Sequence, residues 1–497
     1  MTQRPRDSLS PYLPLAVILV VYLTLGALYA VFTPAWQAPD EPAHFNYVRQ
    51  VALTGTLPIL RAGDYDEAYL DEIKARRFPP ELSVDNLRYE GHQPPLYYLL
   101  ATPVLLASAS QTVARQVLAL RLFGVLLGAG VVVLTWASAL KLFPDRPGRA
   151  VVAAGFVALL PMHVAMMASV NNDSLAELLI AAGVYRLLGH LARPQSTARA
   201  WALTGLMVGL GLLAKLQAYI LLPMAFFVWL SQLRQTRNQP GGRRAAWRNG
   251  LALIAPALAL PMLWWLRNLV VYGPTDPFGL GRHDAIVTGQ PRTFDWIIAH
   301  GWAGYLDRLV TFTFRSFWGV FGWLGVFMDA RIYALLALLS LFVVTGLIWQ
   351  WRQGLGAKGS FQRRGLALLG LQVALVIAAY IWYNLGFVQH QGRYLFPALL
   401  PLGIAFAIGL DGLHTPGGSR WGALAGLGAT MILLVQGLLL GDVNGPVLLL
   451  AAAATAGLAL HSRWPVIRFR WWGAATLALL ALITLQALFA AVIPQLG

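Results

Sequence analysis

Two adjacent carboxylates, Asp40 and Glu41, directly follow the first long apolar segment of this 497-residue sequence, and His44 stands three positions further on. Carboxylates can act as general bases or as metal ligands. Pro42 suits the first turn of a helix, whose N-terminus a preceding carboxylate would stabilise. The group therefore predicts either a catalytic base at a membrane surface or a helix cap.

A second polar group, Glu90 and His92, directly precedes the apolar sequence PPLYY at residues 94–98. A carboxylate and an imidazole together can hold a divalent metal ion, and they can also bind a cation or an anionic head group. The alternative is an interfacial anchor formed by Tyr97 and Tyr98. The pattern alone leaves these interpretations open.

Further along the chain, isolated polar residues stand between apolar segments. Residues 171–173 read NND, which is more than the single helix cap that Asp173 or Ser174 would provide. Lys215 and Arg393 are isolated cations, and the guanidinium of Arg393 matches a phosphate group with two parallel hydrogen bonds. The alternative for Arg393 is a snorkelling side chain at a helix end.

The composition identifies the elements that must position these groups. Hydrophobic residues make up 58% of the chain and charged residues only 12%, and the mean hydropathy is +0.60. Such a composition excludes a water-soluble globular protein and a disordered chain. It indicates an all-α polytopic membrane protein. With no cysteine, the chain has neither disulfides nor thiolate metal sites.

We predict thirteen spans, with the N-terminus inside and the C-terminus outside. The predicted spans are residues 12–33, 116–140, 150–169, 174–192, 200–214, 217–232, 250–271, 331–350, 365–387, 394–410, 421–440, 446–460 and 472–493. The inner segments then hold 21 of the 37 Lys and Arg residues but only three of the 21 acidic residues, as the positive-inside rule requires. The net charge of +16 is thus a topology signal, and we expect no nucleic-acid partner.

The same rule decides three ambiguous stretches. Residues 94–109 are expected to form a re-entrant or interfacial helix, and residues 311–328 to lie on the membrane surface. Residues 201–233 are expected to form two short spans that turn near Lys215. Two large outer loops remain, at residues 34–115 and 272–330, with interfacial helices, and every isolated polar group described above falls on the predicted outer face.

At these residues the sequence resembles the GT-C superfamily of membrane glycosyltransferases, over about residues 1–400. The nearest groups are the bacterial relatives of protein O-mannosyltransferases and the aminoarabinose transferases that modify lipid A. The matching motifs are Asp40-Glu41, HQPPLYY at residues 92–98, Asn172-Asp173 and QGRYLFP at residues 391–397. The resemblance implies a GT-C-like fold and a sugar donor linked to polyprenyl phosphate.

The resemblance also implies roles for individual residues. Asp40 would be the catalytic base or the carboxylate that positions the acceptor, with Glu41 and Asp173 as further acidic residues of the site. The residues expected to bind the donor phosphate are Arg393, Tyr394 and Lys215. Some relatives have an acidic residue where this chain has His92. A divalent metal ion is the one cofactor that the residues suggest, with His92, Glu90 and His283 as candidate ligands and His300 as the alternative to His283.

A single base gives inversion at the anomeric carbon, and the leaving phosphate needs little general acid because it departs as a stable anion. We expect three regions: a catalytic transmembrane module at residues 1–272, the second outer loop with interfacial helices at 273–330, and a C-terminal transmembrane module at 331–497. The expected location is the inner (cytoplasmic) membrane, with the site facing outward. The partners would be the bilayer, a polyprenyl-phosphate sugar and a hydroxyl acceptor, whether protein, glycan or lipid.

Two other functions are compatible with the sequence. A secondary transporter or lipid flippase should carry polar residues at mid-membrane on broken helices; here Glu177 is the only carboxylate well inside a predicted span. A non-catalytic envelope assembly protein should tolerate the loss of Asp40 and Asp173. The two are distinguished from a glycosyltransferase by whether the polar groups form one outward site.

Overall fold

The computed structural model describes residues 12–193, 195–355 and 359–496. The helices of the first half are α1 (Tyr12–Phe32), α2 (Glu41–Thr54), α3 (Glu67–Ala75), α4 (Leu96–Ala107), α5 (Val113–Leu142), α6 (Pro147–Ala158), α7 (Pro161–Met167), α8 (Asp173–Ala192), α9 (Ala198–Leu212), α10 (Leu221–Thr236) and α11 (Gly242–Tyr272). Short 3₁₀ helices occupy Tyr89–His92 and Leu216–Ile220.

The second half continues with α12 (Leu280–Ile286), α13 (Thr293–Trp318), α14 (Ala330–Arg352), α15 (Ser360–Gly386), α16 (Leu399–Leu413), α17 (Pro416–Leu440), α18 (Gly445–Arg463), α19 (Phe469–Gln486) and α20 (Ile493–Leu496). A 3₁₀ helix at Gly392–Ala398 precedes α16, and a π-helix at Ala487–Val492 follows α19. The strands β1 (Val320–Phe321) and β2 (Val326–Phe327) form an antiparallel hairpin, in which Val320 pairs with Phe327.

Each predicted span coincides with a helix or a helix pair. In the described part of the chain, eleven helices are long and apolar enough to cross a membrane, and α6 with α7, bent by 62°, makes a twelfth if the pair is one span. Helix α9 has only 15 residues. The protein is therefore an all-α polytopic membrane protein, while the count of thirteen crossings stays a prediction.

The three ambiguous stretches all contain helical residues. Residues 201–233 form two helices, α9 and α10, separated by a turn at Lys215, as predicted. Residues 94–109 contain the 12-residue helix α4. Residues 311–328 hold the end of α13 and the β-hairpin, and α13 is not among the candidate spans of the described residues. The membrane-surface position of α13 stays a prediction.

The contacts at one end of the bundle join segments that were all predicted to lie inside. Arg146 and Arg149 both donate to the Asp411 carboxylate, and Gln362 donates to the Leu142 carbonyl oxygen. Because each of these residues lies in or beside a predicted inner segment, the packing agrees with the predicted sidedness. It fixes which segments share a face, not which face is cytoplasmic.

Absolute sidedness can be measured directly, since the chain has no cysteine. We expect Ala62→Cys in the first outer loop to react with a membrane-impermeant maleimide on intact cells. Gln239→Cys, in the turn after α10, should react only after the cells are permeabilised. Both positions are exposed, so burial would not hide either thiol. External labelling of Gln239→Cys would contradict the predicted topology.

The opposite end of the bundle has its own buried apolar cluster. It packs Phe45 and Val48 of α2 against Tyr97 of α4, Leu120 of α5 and Leu175 of α8. Burial of these side chains fixes α2 and α4, which are not predicted spans, onto the ends of two spans. The polar residues that precede α2 and α8 are thereby brought together.

Candidate active site

The carboxylate of Asp40 lies between two residues from distant parts of the chain. Arg393 Nη2 donates to Asp40 Oδ2 at 3.1 Å, and the Tyr89 hydroxyl donates to Asp40 Oδ1 at 3.1 Å. The Asp40 side chain is 29% exposed, whereas that of Arg393 is only 7% exposed. The structure thus forms a partly open carboxylate on a buried cation, which suits contact with a ligand.

Helix capping does not explain Asp40. The residue holds the N-cap position of α2, and its carbonyl oxygen accepts the His44 N–H at 3.1 Å. Its side chain, however, makes no capping hydrogen bond. Its φ of 66° is left-handed, a conformation that costs energy in a residue other than glycine. This backbone directs the carboxylate toward Arg393 and Tyr89 instead of the helix.

The charge state of Asp40 follows from its neighbours. Burial by itself would raise the pKa of this carboxyl, but the charges of Arg393 and His44 and the hydrogen bonds from Arg393 and Tyr89 outweigh burial and hold the pKa below its usual value. Asp40 is therefore ionised at neutral pH, as a general base must be.

A second ion pair lies at the start of α8. Lys215 Nζ is 2.6 Å from Asp173 Oδ1, and both side chains are mostly buried. Asn172 Nδ2 donates to Gln93 Oε1 at 3.2 Å and to the Ala214 carbonyl oxygen at 3.3 Å. These bonds tie the NND segment to the end of the first loop and to the turn at Lys215.

The two ion pairs belong to one electrostatic site. Arg393 attracts Asp173 as well as Asp40, and Lys215 and Asp173 both act on His44. Tyr394, predicted to bind phosphate, lies beside Arg393, whose guanidinium carbon is 5.5 Å from the tyrosine ring centre. The structure thus brings Asp40, Asp173, Lys215, Arg393 and Tyr394 together.

Of the predicted metal ligands, His92 and His283 are neighbours, with ring centres 4.4 Å apart. Burial lowers the pKa of both to about 4, so both imidazoles are neutral at pH 7. Glu90 is buried nearby, and its Oε2 has no hydrogen-bond partner in the described part of the chain. His300 instead stacks on Trp296, with ring centres 4.1 Å apart.

Neutral imidazoles are suitable metal ligands. A metal site also needs further donors, and within the described residues no group of three or more His, Asp or Glu side chains is arranged to hold an ion. The residues present do not fit a divalent metal centre, and we derive no step through a metal ion.

Glu41 was predicted to be catalytic, but the structure gives it another environment. It is fully buried, accepts from Arg121 Nε at 2.8 Å and Nη2 at 2.6 Å, and also accepts the backbone N–H groups of Trp36 at 2.9 Å and Val170 at 3.1 Å. These partners occupy both carboxylate oxygens. This environment favours a structural role for Glu41 in holding the Asp40 turn, while its catalytic role stays a prediction.

We call the buried ion pair of Arg121 and Glu41 the clasp. The Arg121 guanidinium also donates to the carbonyl oxygens of Ala30, Thr33 and Pro34. Those carbonyls lie where α1 ends and the chain turns toward Asp40, so Arg121 satisfies backbone groups that α1 leaves open. Sequence analysis missed Arg121 because it is a single cation near the start of a predicted span.

Removing one side of the clasp should destabilise the protein strongly. Arg121→Met leaves Glu41 charged and buried without its partner, which typically costs about 3–5 kcal/mol. We expect a clear drop in the melting temperature measured in detergent. Arg49→Met, which breaks the exposed pair of Arg49 with Asp85, is the matched control and should melt like wild type, because such pairs contribute about 0–1 kcal/mol. Equal melting of both variants would refute the clasp.

His44 and Tyr89 are further site residues that sequence analysis did not assign. His44 Nδ1 lies 2.8 Å from the Tyr98 hydroxyl, and burial lowers the pKa of His44. The position of His44 close behind the Asp40-Glu41 pair in sequence was a usable signal. Tyr89 had no signal beyond its position next to Glu90.

The comparisons with known proteins agree with this architecture. A family model described as predicted membrane protein (DUF2142) matches residues 85–402, more than half of the chain. No curated protein matches.

Solved structures give the fold. The chain is similar to the lipid A aminoarabinose transferase ArnT from Cupriavidus metallidurans in the apo state, with 16% identity over 96% of this chain and 75% of that one and a TM-score of 0.52. For ArnT bound to undecaprenyl phosphate the identity is again 16%, over 96% and 76% of the two chains, with a TM-score of 0.50. The oligosaccharyltransferase AglB from Archaeoglobus fulgidus, in complex with an inhibitory peptide and a dolichol-phosphate, gives 12% identity over 93% and 56% of the chains and a TM-score of 0.48. The predicted GT-C fold is confirmed.

Proposed function

We propose that this chain, which belongs to the DUF2142 family of predicted membrane proteins, is a glycosyltransferase that moves a sugar from a polyprenyl-phosphate donor to a hydroxyl acceptor. The reaction would take place at the outer face of the cytoplasmic membrane. One observation carries the proposal: an ionised, partly exposed carboxylate, Asp40, lies on a buried guanidinium, that of Arg393. This arrangement supplies a base and a phosphate-binding cation at one point.

Asp40 acts as the base in this proposal. It takes the proton from the acceptor hydroxyl while the acceptor oxygen bonds to the anomeric carbon of the donor. The bond from that carbon to the phosphate oxygen breaks, and its electron pair leaves with the phosphate. The acceptor proton therefore ends on Asp40 and the sugar on the acceptor, so that atoms and charges balance.

The leaving phosphate gains one negative charge in this step. Arg393 and Lys215 are the two cations of the site, and they stabilise this charge as it develops. Because the site is partly closed to water, their attraction is stronger than it would be at an open surface. No general acid is required, since a phosphate is a stable leaving anion.

Inversion at the anomeric carbon follows from a single displacement. Retention would need a second carboxylate free to attack the sugar as a nucleophile. A further carboxylate of the site, Asp173, is held by Lys215 at 2.6 Å. Its pairing supports a charge-balancing role and hence an inverting reaction.

The fold supports the proposed donor. ArnT, which shares the fold, has been crystallised with undecaprenyl phosphate, and we extend a ligand of that kind to this chain.

A transporter is less well supported. Glu177, which lies further along α8 than Asp173, is buried with its carboxylate 3.3 Å from His163 Nε2. Asp40 and Asp173 instead lie at the starts of their helices and both act on His44.

The proposal is tested with the purified protein and two lipids, undecaprenyl phosphate and undecaprenol, which share the polyprenyl chain. We expect native mass spectrometry to show retention of the phosphate and loss of the alcohol. Reconstituted protein should also release polyprenyl phosphate from a donor pool extracted from membranes. Equal retention of both lipids would contradict the phosphate site and, with it, the proposed function.

A further inference from the structure

Both cations of the proposed donor site already have anionic partners. Arg393 contacts Asp40, with nitrogen and oxygen 3.1 Å apart, and Lys215 contacts Asp173 at 2.6 Å. A donor phosphate cannot approach either cation without competing with a carboxylate. The site is therefore arranged so that binding requires an exchange of ion-pair partners.

The donors of Arg393 show where this exchange takes place. Its Nε donates to Gln391 Oε1 at 2.7 Å, and its Nη1 points to the sulfur of Met166 at 3.8 Å. Only Nη2 reaches Asp40, and Asp40 is the more exposed partner, at 29% against 7%. Gln391 and Met166 fix the guanidinium from the buried side, so an incoming phosphate meets Arg393 at the position that Asp40 now occupies.

We propose that the Asp40–Arg393 ion pair is a resting latch: the donor phosphate takes over the guanidinium of Arg393 and thereby releases Asp40 to act as the base. This inference rests on the proposed function and adds an order of events to it. The donor must bind before the base becomes active.

The electrostatics of the site give the latch a chemical consequence. A carboxylate paired with an arginine is a weak base, because the cation stabilises its ionised form. When phosphate takes over Arg393, the largest influence that opposes the burial of Asp40 is lost, and we expect the pKa of Asp40 to rise. The other charged groups acting there are His44, Glu90, Asp173 and Lys215, and Tyr89 can keep its hydrogen bond to Asp40.

The latch makes a prediction of unusual sign, namely that removing the catalytic carboxylate tightens donor binding. We expect Asp40→Asn to bind undecaprenyl phosphate roughly tenfold more tightly than wild type, since the competing charge is gone. The matched control is Asp85→Asn, which removes an exposed carboxylate of the same loop that pairs with Arg49. It should change the affinity by less than about twofold, because exchange at Arg393 is unaffected.

Each outcome of this binding experiment decides a question. Equal or weaker affinity in Asp40→Asn, or an equal gain in Asp85→Asn, would overturn the latch while the donor site survives. Absence of phosphate-dependent binding in wild type and in all variants would overturn the proposed function itself. Should Asp40→Asn fail to fold, Asp40→Ala also removes the competing charge and is expected to give the same gain.

Discussion

Replacing Asp40 with asparagine is expected to lower kcat by about 10²–10⁴-fold, the usual contribution of a positioned general base. The amide keeps the shape of the side chain, and its oxygen can still accept the hydrogen bonds from Arg393 and Tyr89. It cannot accept the acceptor proton. The measurement is turnover of a polyprenyl-phosphate sugar by the reconstituted variant, with a melting temperature close to that of wild type.

The pH dependence of wild type should follow the lowered pKa of Asp40. A carboxylate whose pKa is depressed is ionised above that pKa. The value of kcat/KM, which reports the free enzyme, should therefore be constant above this pKa and be lost only as the pH falls through it. The loss should begin below the ordinary aspartate value of about 3.9. A fall that begins at neutral pH would indicate a different base.

A matched control for Asp40 is available in the same loop. Asp85→Asn removes a carboxylate that lies on the exposed surface and pairs with Arg49, so we expect unchanged turnover. Wild-type turnover by Asp40→Asn would instead leave Asp40 with a structural role at the start of α2 and remove the base from the mechanism.

Replacing Arg393 is expected to produce the largest loss of donor affinity. Arg393→Ala removes a charge-assisted contact that is worth on the order of 1.5–3 kcal/mol or more, which corresponds to roughly a 10- to 150-fold increase in Kd. Arg393→Lys should also weaken binding markedly, because an ammonium group cannot reproduce the planar arrangement in which Nη2 faces the phosphate while Nη1 is held at Met166. It would also not replace the Nε bond to Gln391. The measurement is the affinity of the detergent-solubilised variants for undecaprenyl phosphate.

The lysine variant separates a phosphate ligand from a snorkelling anchor. A lysine snorkels as well as an arginine, so an anchor would keep wild-type affinity after the change. The control is Arg292→Lys in the second outer loop, where the arginine is half exposed and paired with Asp284; its affinity should not change. Equal affinity of wild type and Arg393→Lys would assign the phosphate to Lys215 instead.

Two properties of the sequence determined the fold class. Apolar segments of about 20 residues must be helical in a bilayer, because only a helix satisfies their backbone hydrogen bonds internally. The distribution of Lys and Arg then favoured one arrangement of the connecting segments, including the turn at Lys215 that the structure contains. Isolated polar residues on the predicted outer side indicated Asp40, Asp173 and Arg393, since such residues are costly near a membrane.

Tertiary structure alone decided which of these residues are partners and what each can do. Arg393 meets Asp40 across 353 positions of sequence, and Arg121 meets Glu41 across 80. Local patterns cannot show such pairs, because sequence spacing relates only residues within one helix turn or strand. Asp40 and Glu41 are neighbours in sequence with the same chemistry. The left-handed backbone at Asp40 turns one carboxylate toward the open site and leaves the other buried on Arg121, so the same side-chain chemistry is placed in two different environments.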